Sequence, residues 1–247
     1  MNNKEKQIIN DIDKLSQYNK KIPPWERPLF LMIITFIGGY MNAYTYITRN
    51  GILANMHTAN MSTLGISIAM AQWQSALNHF LPIIACILGV AFCEYIKFVI
   101  KKSNYLGDWR KIGLILESIA LFCIGLLPKS VPDLIVTNLV SFFMGYLLCL
   151  FRNCLGIAYN TTICTGNLRT VGQLLFNALE EKSRDSIKKL IIFTILTFSF
   201  VVGAIPGTII SMIVSTKAVW FCSFILLVQV VWMYKYENNK RSDSNIL

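Results

Sequence analysis

The chain has 247 residues, of which 54% are hydrophobic and 15% charged, with a net charge of +10 and a mean hydropathy of +0.51. This composition is too apolar for an ordinary soluble domain. Lys and Arg lie mainly between apolar runs and at the termini, which is typical of a membrane topology signal. No basic stretch is interleaved with aromatics as on a nucleic-acid surface. The composition therefore indicates an integral protein of a lipid bilayer and argues against a nucleic-acid partner.

The first 27 residues are polar and rich in Lys, so they predict a cytoplasmic N-terminal segment (1–27) rather than a secretory signal peptide. Ile8, Ile12 and Leu15 fall at helical spacing. The segment is therefore either an amphipathic helix on the inner membrane surface or a solvated tail.

Six apolar runs are long enough to cross a hydrocarbon core, which takes about 20 residues. Two further apolar stretches, residues 58–71 and 165–179, are shorter. The sequence thus predicts an all-α integral membrane protein with six transmembrane helices and two short half-helices. The six runs cover residues 28–47, 77–100, 112–128, 132–151, 190–214 and 218–236.

The distribution of Lys and Arg predicts how these runs are oriented, because inner loops collect positive charge. If all eight stretches crossed, with the N-terminus inside, the basic residues of the 101–111 loop would lie outside. If the two short stretches dip in and return, that loop, the 152–189 segment and both termini are cytoplasmic. We therefore favour six spans with two re-entrant segments. The rival is a protein with eight crossings and parallel repeats.

Two similar segments suggest an internal repeat. Residues 55–60 (NMHTAN) and 162–167 (TICTGN) each follow an apolar run with a Gly-Tyr pair, Gly39-Tyr40 and Gly145-Tyr146. The predicted first membrane repeat is 28–128, the second is 132–236, and a cytoplasmic tail covers 237–247. Three spans per half would invert the second half, as in many transporters.

Thr and Asn at these segments are preferred helix N-caps. We expect Thr58 or Asn60 to cap the first half-helix, and Thr162 or Thr165 to cap the second. Two inward N-termini would then point positive dipole ends at an anion or at a neutral solute with hydrogen-bond acceptors. Alternatively, these residues only satisfy the broken backbone. The candidate substrate-binding residues are Asn55, Thr58, Asn60, Thr162, Thr165, Gly166, Asn167 and Arg169.

Three charged residues in or near the apolar runs are candidates for function, since charge at membrane depth is expensive. Arg169, in the first turn of the second half-helix, would attract an anion, exclude cations, pair with a carboxylate or reach the surface. Glu94 and Glu117 are predicted at similar depth and are candidate proton-coupling residues. The alternative pairs Glu94 with Lys97 and Glu117 with Arg110, Lys111 or Arg169.

The sequence contains no signature of catalysis or of metal binding. The seven cysteines form no CxxC pair, and neither histidine has a Cys or carboxylate at metal-ligand spacing. There is no phosphate-binding loop and no Ser/His/Asp or HExxH grouping. We therefore expect no enzyme activity, no metal and no cofactor.

Taken together, three segments resemble the YoaK-like family of uncharacterised bacterial integral membrane proteins, over about residues 28–236. They are residues 38–46 (GGYMNAYTY), Ala54-Asn55 with Thr58-Ala59-Asn60, and Thr161-Thr162 with residues 165–169 (TGNLR). The family usually has Gln-Thr-Gly-Asn in the first half, where this chain has His57 and Ala59. The resemblance implies a multi-pass protein of the bacterial inner membrane and brings no substrate.

The sequence thus predicts a passive or proton-coupled transporter or channel for a small polar or anionic solute. The rival class is a non-transporting sensor, scaffold or accessory subunit. A homodimer is compatible with the sequence but is not indicated by it.

Overall fold

A computed structural model describes residues 22–49, 51–103, 105 and 107–244 of the chain, with side chains up to residue 239. The expected surface helix near Ile8 lies outside the described residues. The described chain is all-α, as predicted, apart from one short antiparallel hairpin of strands β1 (Asn153–Cys154) and β2 (Ile157–Ala158). Its helices are α1 (Pro28–Thr48), α2 (His57–Ala69), α3 (Trp73–Lys102), α4 (Trp109–Leu126), α5 (Asp133–Leu150), α6 (Thr165–Glu181), α7 (Arg184–Val214) and α8 (Val219–Ser244).

Helix lengths agree with a membrane protein. Four helical runs of the described residues are long and apolar enough to cross a membrane: Pro28–Thr48, Trp73–Lys102, Asp133–Leu150 and Arg184–Asn239, which contains α7 and α8 as far as Asn239. By contrast, α2 has 13 residues. At 1.5 Å per residue it extends only about 20 Å, less than the ~30 Å of a hydrocarbon core. Helices begin at both repeat motifs, as predicted, and α2 is short. α6 has 17 residues, against 18 for α5, which is among the four candidate spans, so the prediction that α6 is too short to cross stays a prediction.

Helix ends follow local sequence. Pro28 occupies the first position of α1, where its missing N–H costs nothing. The side chains of Asp108 and Ser183 accept hydrogen bonds from the N–H groups of Arg110 and Ser186 and so cap α4 and α7. Ser215, with φ of +55°, ends α7 and begins a short 3-10 helix, Ser215–Ala218, that leads into α8.

The main helix pairs join the two halves of the chain. α1 packs against α7, α3 against α5, and α4 against α8, while the short helices α2 and α6 pack on α3 and α7. The α4–α8 pair includes a reciprocal contact between two serines. Ser118 Oγ donates to the carbonyl of Ser223 (2.9 Å), and Ser223 Oγ donates to the carbonyl of Ser118 (2.8 Å).

Glycines allow the closest of these crossings. A Cβ added to Gly39 of α1 would lie 1.9 Å from the carbonyl oxygen of Phe200, and one on Gly203 of α7 would lie 2.0 Å from that of Phe36. Each glycine thus lies against the carbonyl three residues before the other, and only glycine fits there.

The α3–α5 crossing has the same arrangement. A Cβ on Gly89 would lie 1.9 Å from the carbonyl oxygen of Phe142, and one on Gly145 would lie 2.5 Å from that of Cys86. Here too, each glycine lies against the carbonyl three residues before the glycine of the other helix. The Gly39 and Gly145 of the two Gly-Tyr pairs therefore have matching structural roles.

Buried tyrosines fix α1 to the turn between α7 and α8. Tyr40 donates its hydroxyl to the carbonyl of Ala218 (2.8 Å), and Tyr44 donates to that of Thr216 (3.2 Å). Tyr46, two residues further on, is exposed. Tyr40 and Tyr44 are therefore packing residues of the helix core.

Candidate functional site

The two half-helices begin without side-chain caps. The N-cap residues are Met56 for α2 and Cys164 for α6, and neither side chain caps its helix. The prediction that Thr58, Asn60, Thr162 or Thr165 would cap is wrong, because helix starts at His57 and Thr165 place none of them at a cap position. The N–H groups of residues 57–59 and 165–167 have no partner within their helices.

Asn60 and Asn167 instead hold the chain that leads into each half-helix. Asn60 Nδ2 donates to the carbonyl of Leu53 (3.3 Å), and Asn167 Nδ2 donates to that of Asn160 (2.6 Å). Both acceptors lie seven residues before the asparagine. The two Thr-x-Asn motifs thus share one structural role, which is to satisfy non-helical backbone.

Asn167 forms more hydrogen bonds than Asn60 and should therefore contribute more to stability. Asn167 also donates to the carbonyl of Ile163 (3.2 Å) and accepts from Asn160 N–H (3.0 Å), while the Oδ1 of Asn60 contacts only His79 Nδ1 (3.1 Å). We expect Asn167→Ala to lower the free energy of unfolding by about 2–3 kcal/mol and Asn60→Ala by about 1–2 kcal/mol. Chemical denaturation in detergent would measure both, and an equal loss would contradict this assignment.

Asn55 joins the two non-helical segments. Its Nδ2 donates to the carbonyl of Gly38 on α1 (3.0 Å) and to that of Thr162 (3.2 Å). Gly38 packs closely against the second segment, since a Cβ on Gly38 would lie 3.0 Å from Thr162 Cα. The two segments, 107 residues apart at this contact, therefore meet beside the middle of α1.

Each segment is also held by a helix of the other half. Thr35 Oγ1 of α1 shares a hydrogen bond with the hydroxyl of Tyr159 (2.9 Å), which precedes α6. Ser141 Oγ of α5 donates to the carbonyl of Ala54 (2.5 Å), which precedes α2. Thr35 and Ser141 both lie four residues before a glycine of the Gly-Tyr pairs, so the two contacts occupy matching positions.

A cavity of about 100 Å³ lies where the segments meet, between the N-termini of α2 and α6. It is lined by residues 55–58 on one side, residues 162–165 on the other, and Phe200 of α7. Among the described residues, no Asp, Glu, Lys or Arg lines it. The Oδ1 of Asn55 and both ring nitrogens of His57 are buried without a hydrogen-bond partner in the described chain. Such unpaired polar groups are uncommon in protein interiors and need an explanation.

The predicted site residues divide into two groups. Asn55, Thr58, Thr162 and Thr165 line the cavity. The other four lie outside the cavity. Asn60 and Asn167 form hydrogen bonds with backbone, and a Cβ on Gly166 would lie 2.8 Å from Asn160 Nδ2. Arg169 is exposed near the start of α6.

Several lining residues escaped the sequence analysis. His57 and Cys164 have no partner at a chemically informative spacing, and Phe200 lies on a distant helix. A weak signal existed for His57, since it replaces the usual glutamine of the resembled family. The short hairpin of β1 and β2 was also missed, although Gly156, with a φ of +80°, occupies its turn.

The two candidate proton-coupling residues lie in different surroundings. Glu94 pairs with Lys97 (2.8 Å), as the simpler alternative predicted. Glu117 is fully buried in α4, and its carboxyl oxygens have no hydrogen-bond partner among the described residues. Its predicted pairing with Arg110, Lys111 or Arg169 is wrong, since Arg110 pairs with Asp108 (3.0 Å) and Lys111 with Glu237 (2.5 Å).

A second cavity, of about 420 Å³, lies between α3, α5 and the hairpin. Its lining includes Arg152, Tyr159 and Asn160. Asn160 lies against Gly166 at the start of α6, since a Cβ on Gly166 would lie 2.8 Å from Asn160 Nδ2. Within the described ranges, no group of three or more His, Cys, Asp or Glu could hold a metal ion.

Comparison with known proteins identifies a family match. A family model described as "Protein of unknown function (DUF1275)" matches residues 30–232, which include nearly all of α1, helices α2 to α7, the first half of α8 and the whole candidate site. No curated protein and no solved structure matches the chain.

Proposed function

The chain belongs to the DUF1275 family of proteins of unknown function, and on that premise we propose that it is a membrane transporter or channel for a small polar or anionic solute. The observation that supports this most is the cavity between the uncapped N-termini of α2 and α6, where buried polar groups of Asn55 and His57 have no partner. Helix N-termini with free N–H groups favour anions and hydrogen-bond acceptors. Non-helical backbone at membrane depth occurs where it is buried in protein or lines a wet cavity.

The transport site we propose is this cavity, with Asn55, Thr58, Thr162 and Thr165 contacting solute. Asn60 and Asn167 hold the two segments in place, and Gly166 allows Asn160 to pack at the start of α6. The cavity beside the hairpin gives the solute a route from one membrane face. Arg169, exposed on α6, adds positive charge that attracts anions. The charge of Arg152, exposed in the wall of that cavity, is partly balanced by the Glu94 carboxylate at 3.9 Å. Glu117 is the remaining candidate for a coupling proton.

We propose six crossing helices (α1, α3, α4, α5, α7 and α8) and two re-entrant ones, arranged as inverted repeats over 28–128 and 132–236. Three sets of matching contacts support this arrangement: the glycine crossings Gly39–Gly203 and Gly145–Gly89, the Thr35 and Ser141 contacts, and the reciprocal Ser118–Ser223 pair. If the first repeat is superimposed on the second and the second on the first, each of these contacts falls on its counterpart. The same exchange would bring α2 and α6 to the midplane from opposite faces.

We propose a protein of the bacterial cell membrane, as the resemblance implies, with both termini in the cytoplasm, as the distribution of Lys and Arg supports. Gln74, exposed at the start of α3, tests this topology. On a background without other reactive cysteines, Gln74→Cys is expected to react with an impermeant maleimide added outside intact cells. Reaction only after the cytoplasm is opened would support eight crossings instead.

A flux measurement tests the proposed function. Purified protein in proteoliposomes is expected to raise the permeability to at least one member of a panel of small anions and neutral polar solutes, relative to empty liposomes. Liposomes with the same protein after heat denaturation control for leakage. If no solute of a broad panel crosses faster, the sensor, scaffold or accessory-subunit class becomes the better account.

A further inference from the structure

A third cavity, of about 110 Å³, lies at the end of the molecule where α1 and α4 begin and α3 and α5 end. We call it the Trp25 pocket. The proposed topology places these four helix ends at the inner membrane surface, the level at which tryptophan is enriched. The pocket is lined by Trp25, Glu26, Glu94, Lys97, Trp109, Arg110 and residues 149–153.

Most of the charged groups of the Trp25 pocket are paired within the protein. Glu94 accepts a hydrogen bond from Lys97 Nζ (2.8 Å). Arg110 pairs with Asp108 beside the pocket (3.0 Å), and its Nε donates to the carbonyl of Leu150 (3.1 Å). These four charges therefore balance one another.

The two charges that remain are opposite in sign and accessible. The Arg152 side chain is 63% exposed, and its contact with the Glu94 carboxylate is long, at 3.9 Å. Glu26 is half-buried, and its carboxylate forms no ion pair within the described ranges. A ligand that satisfies both groups carries a negative acceptor for Arg152 and a positive donor for Glu26.

The two tryptophans do not form an aromatic cage for a quaternary ammonium. Lys97 Nζ lies 5.5 Å from the ring centre of Trp109, and Arg110 Cζ lies 5.4 Å from that of Trp25. Each ring thus already has a cation of the protein at its face. The positive group of the ligand is therefore one that donates N–H to a carboxylate, such as a primary ammonium.

The volume and the surroundings of the pocket restrict the ligand further. A cavity of about 110 Å³ is smaller than the ~150 Å³ cavity that holds the six carbon atoms of benzene. The oxygen, two carbons and nitrogen of an ethanolamine ester fit, whereas choline has three further methyl groups. On α3, next to Glu94 and Lys97 in the chain, Tyr95 and Phe98 are 61% and 64% exposed and offer an apolar surface to acyl chains.

We propose that the Trp25 pocket binds the headgroup of a phospholipid that carries a primary ammonium, the class of phosphatidylethanolamine. The phosphate accepts hydrogen bonds from the Arg152 guanidinium, and the ammonium donates to the Glu26 carboxylate. The acyl chains lie along the exposed apolar face of α3, outside the cavity beside the hairpin.

Phosphatidylcholine provides a matched control lipid, because it has the same phosphate, the same acyl chains and no net charge, but no ammonium N–H. The delipidated wild-type protein in detergent is mixed with equimolar dioleoyl-phosphatidylethanolamine and dioleoyl-phosphatidylcholine, and native mass spectrometry identifies the first lipid bound. We expect phosphatidylethanolamine to be bound at least about tenfold more often. This comparison uses one protein, so it does not depend on the folding of any variant.

Two variants assign the headgroup contacts. Glu26→Gln is expected to reduce the preference for phosphatidylethanolamine to about twofold or less while lipid is still bound. Arg152→Gln is expected to weaken binding of both lipids, since both have the phosphate. Glu180→Gln and Arg184→Gln change exposed residues outside the pocket and should behave as the wild type.

The other outcomes overturn the proposal. Equal binding of the two lipids, or a preference that Glu26→Gln leaves unchanged, contradicts the ammonium contact. If phosphatidylglycerol, added as a third lipid, binds first, the site selects negative charge alone. If water-soluble O-phosphoethanolamine displaces the bound lipid at an equal concentration, the ligand is the free phosphate ester and not a lipid.

Discussion

Replacing Gly89 by alanine is expected to remove most of the stability of the folded protein. The added Cβ would lie 1.9 Å from the carbonyl oxygen of Phe142, so α3 and α5 would have to move apart along their crossing. Backbone cannot yield as a flexible side chain does, and overpacking of this kind typically costs 1–3 kcal/mol or more. We expect a loss of about 3 kcal/mol or more, measured by denaturation in detergent. Gly39→Ala, 1.9 Å from the carbonyl of Phe200, should have a similar effect.

Gly65 supplies the matched control. It also lies within a helix, but a Cβ there would have no atom within 4 Å. Alanine has the higher helix propensity, so Gly65→Ala is expected to leave stability unchanged or to raise it by up to about 1 kcal/mol. If Gly89→Ala and Gly65→Ala gave the same stability, the close α3–α5 crossing would be wrong.

The second large effect concerns transport. Thr58 lines the cavity near the start of α2. A phenylalanine at this position would fill much of a cavity of about 100 Å³ and displace solute. We expect Thr58→Phe to reduce flux in proteoliposomes by at least about tenfold, equivalent to 1.4 kcal/mol, with little loss of folded protein.

Ser62 offers a comparison one turn further along α2. Both residues are exposed, and Ser62 does not line the cavity. Ser62→Phe is therefore expected to keep wild-type flux, which separates occupation of the cavity from a general effect of aromatic bulk on α2. Equal losses in the two variants would show that flux does not depend on this cavity.

Sequence patterns predicted the helices and the two short segments well, because apolar periodicity and length are local properties. They also led to Asn55 and to the threonines of the cavity. They could not assign roles to Asn60 and Asn167, since an amide at a helix start serves a ligand or the backbone equally well. The structure shows both amides bonded to carbonyls seven residues earlier.

Long-range contacts were beyond sequence reasoning. Glu117 was expected to pair with a nearby cation, but Lys111 reaches Glu237 on α8, 126 residues away, and Glu117 is left unpaired among the described residues. Arg49 is 1% exposed and paired with Asp133 (3.1 Å), which lies 84 residues away at the start of α5. No local sequence pattern indicates which residues of distant helices come into contact.

The most direct measurement of the central claim uses the native thiol of Cys164, which is free, half-buried and in the cavity wall. Cys149 lines the cavity beside the hairpin, so it is replaced by serine in both proteins that are compared. Proteoliposomes are treated with a small methanethiosulfonate, and solute flux is compared between Cys149→Ser and the double variant Cys149→Ser/Cys164→Ser. We predict that the reagent blocks flux through the protein that keeps Cys164 and leaves flux through the double variant intact, because the remaining cysteines line neither cavity. Flux that persists after complete labelling of Cys164, or an equal block in both proteins, would contradict a transport path between the half-helices.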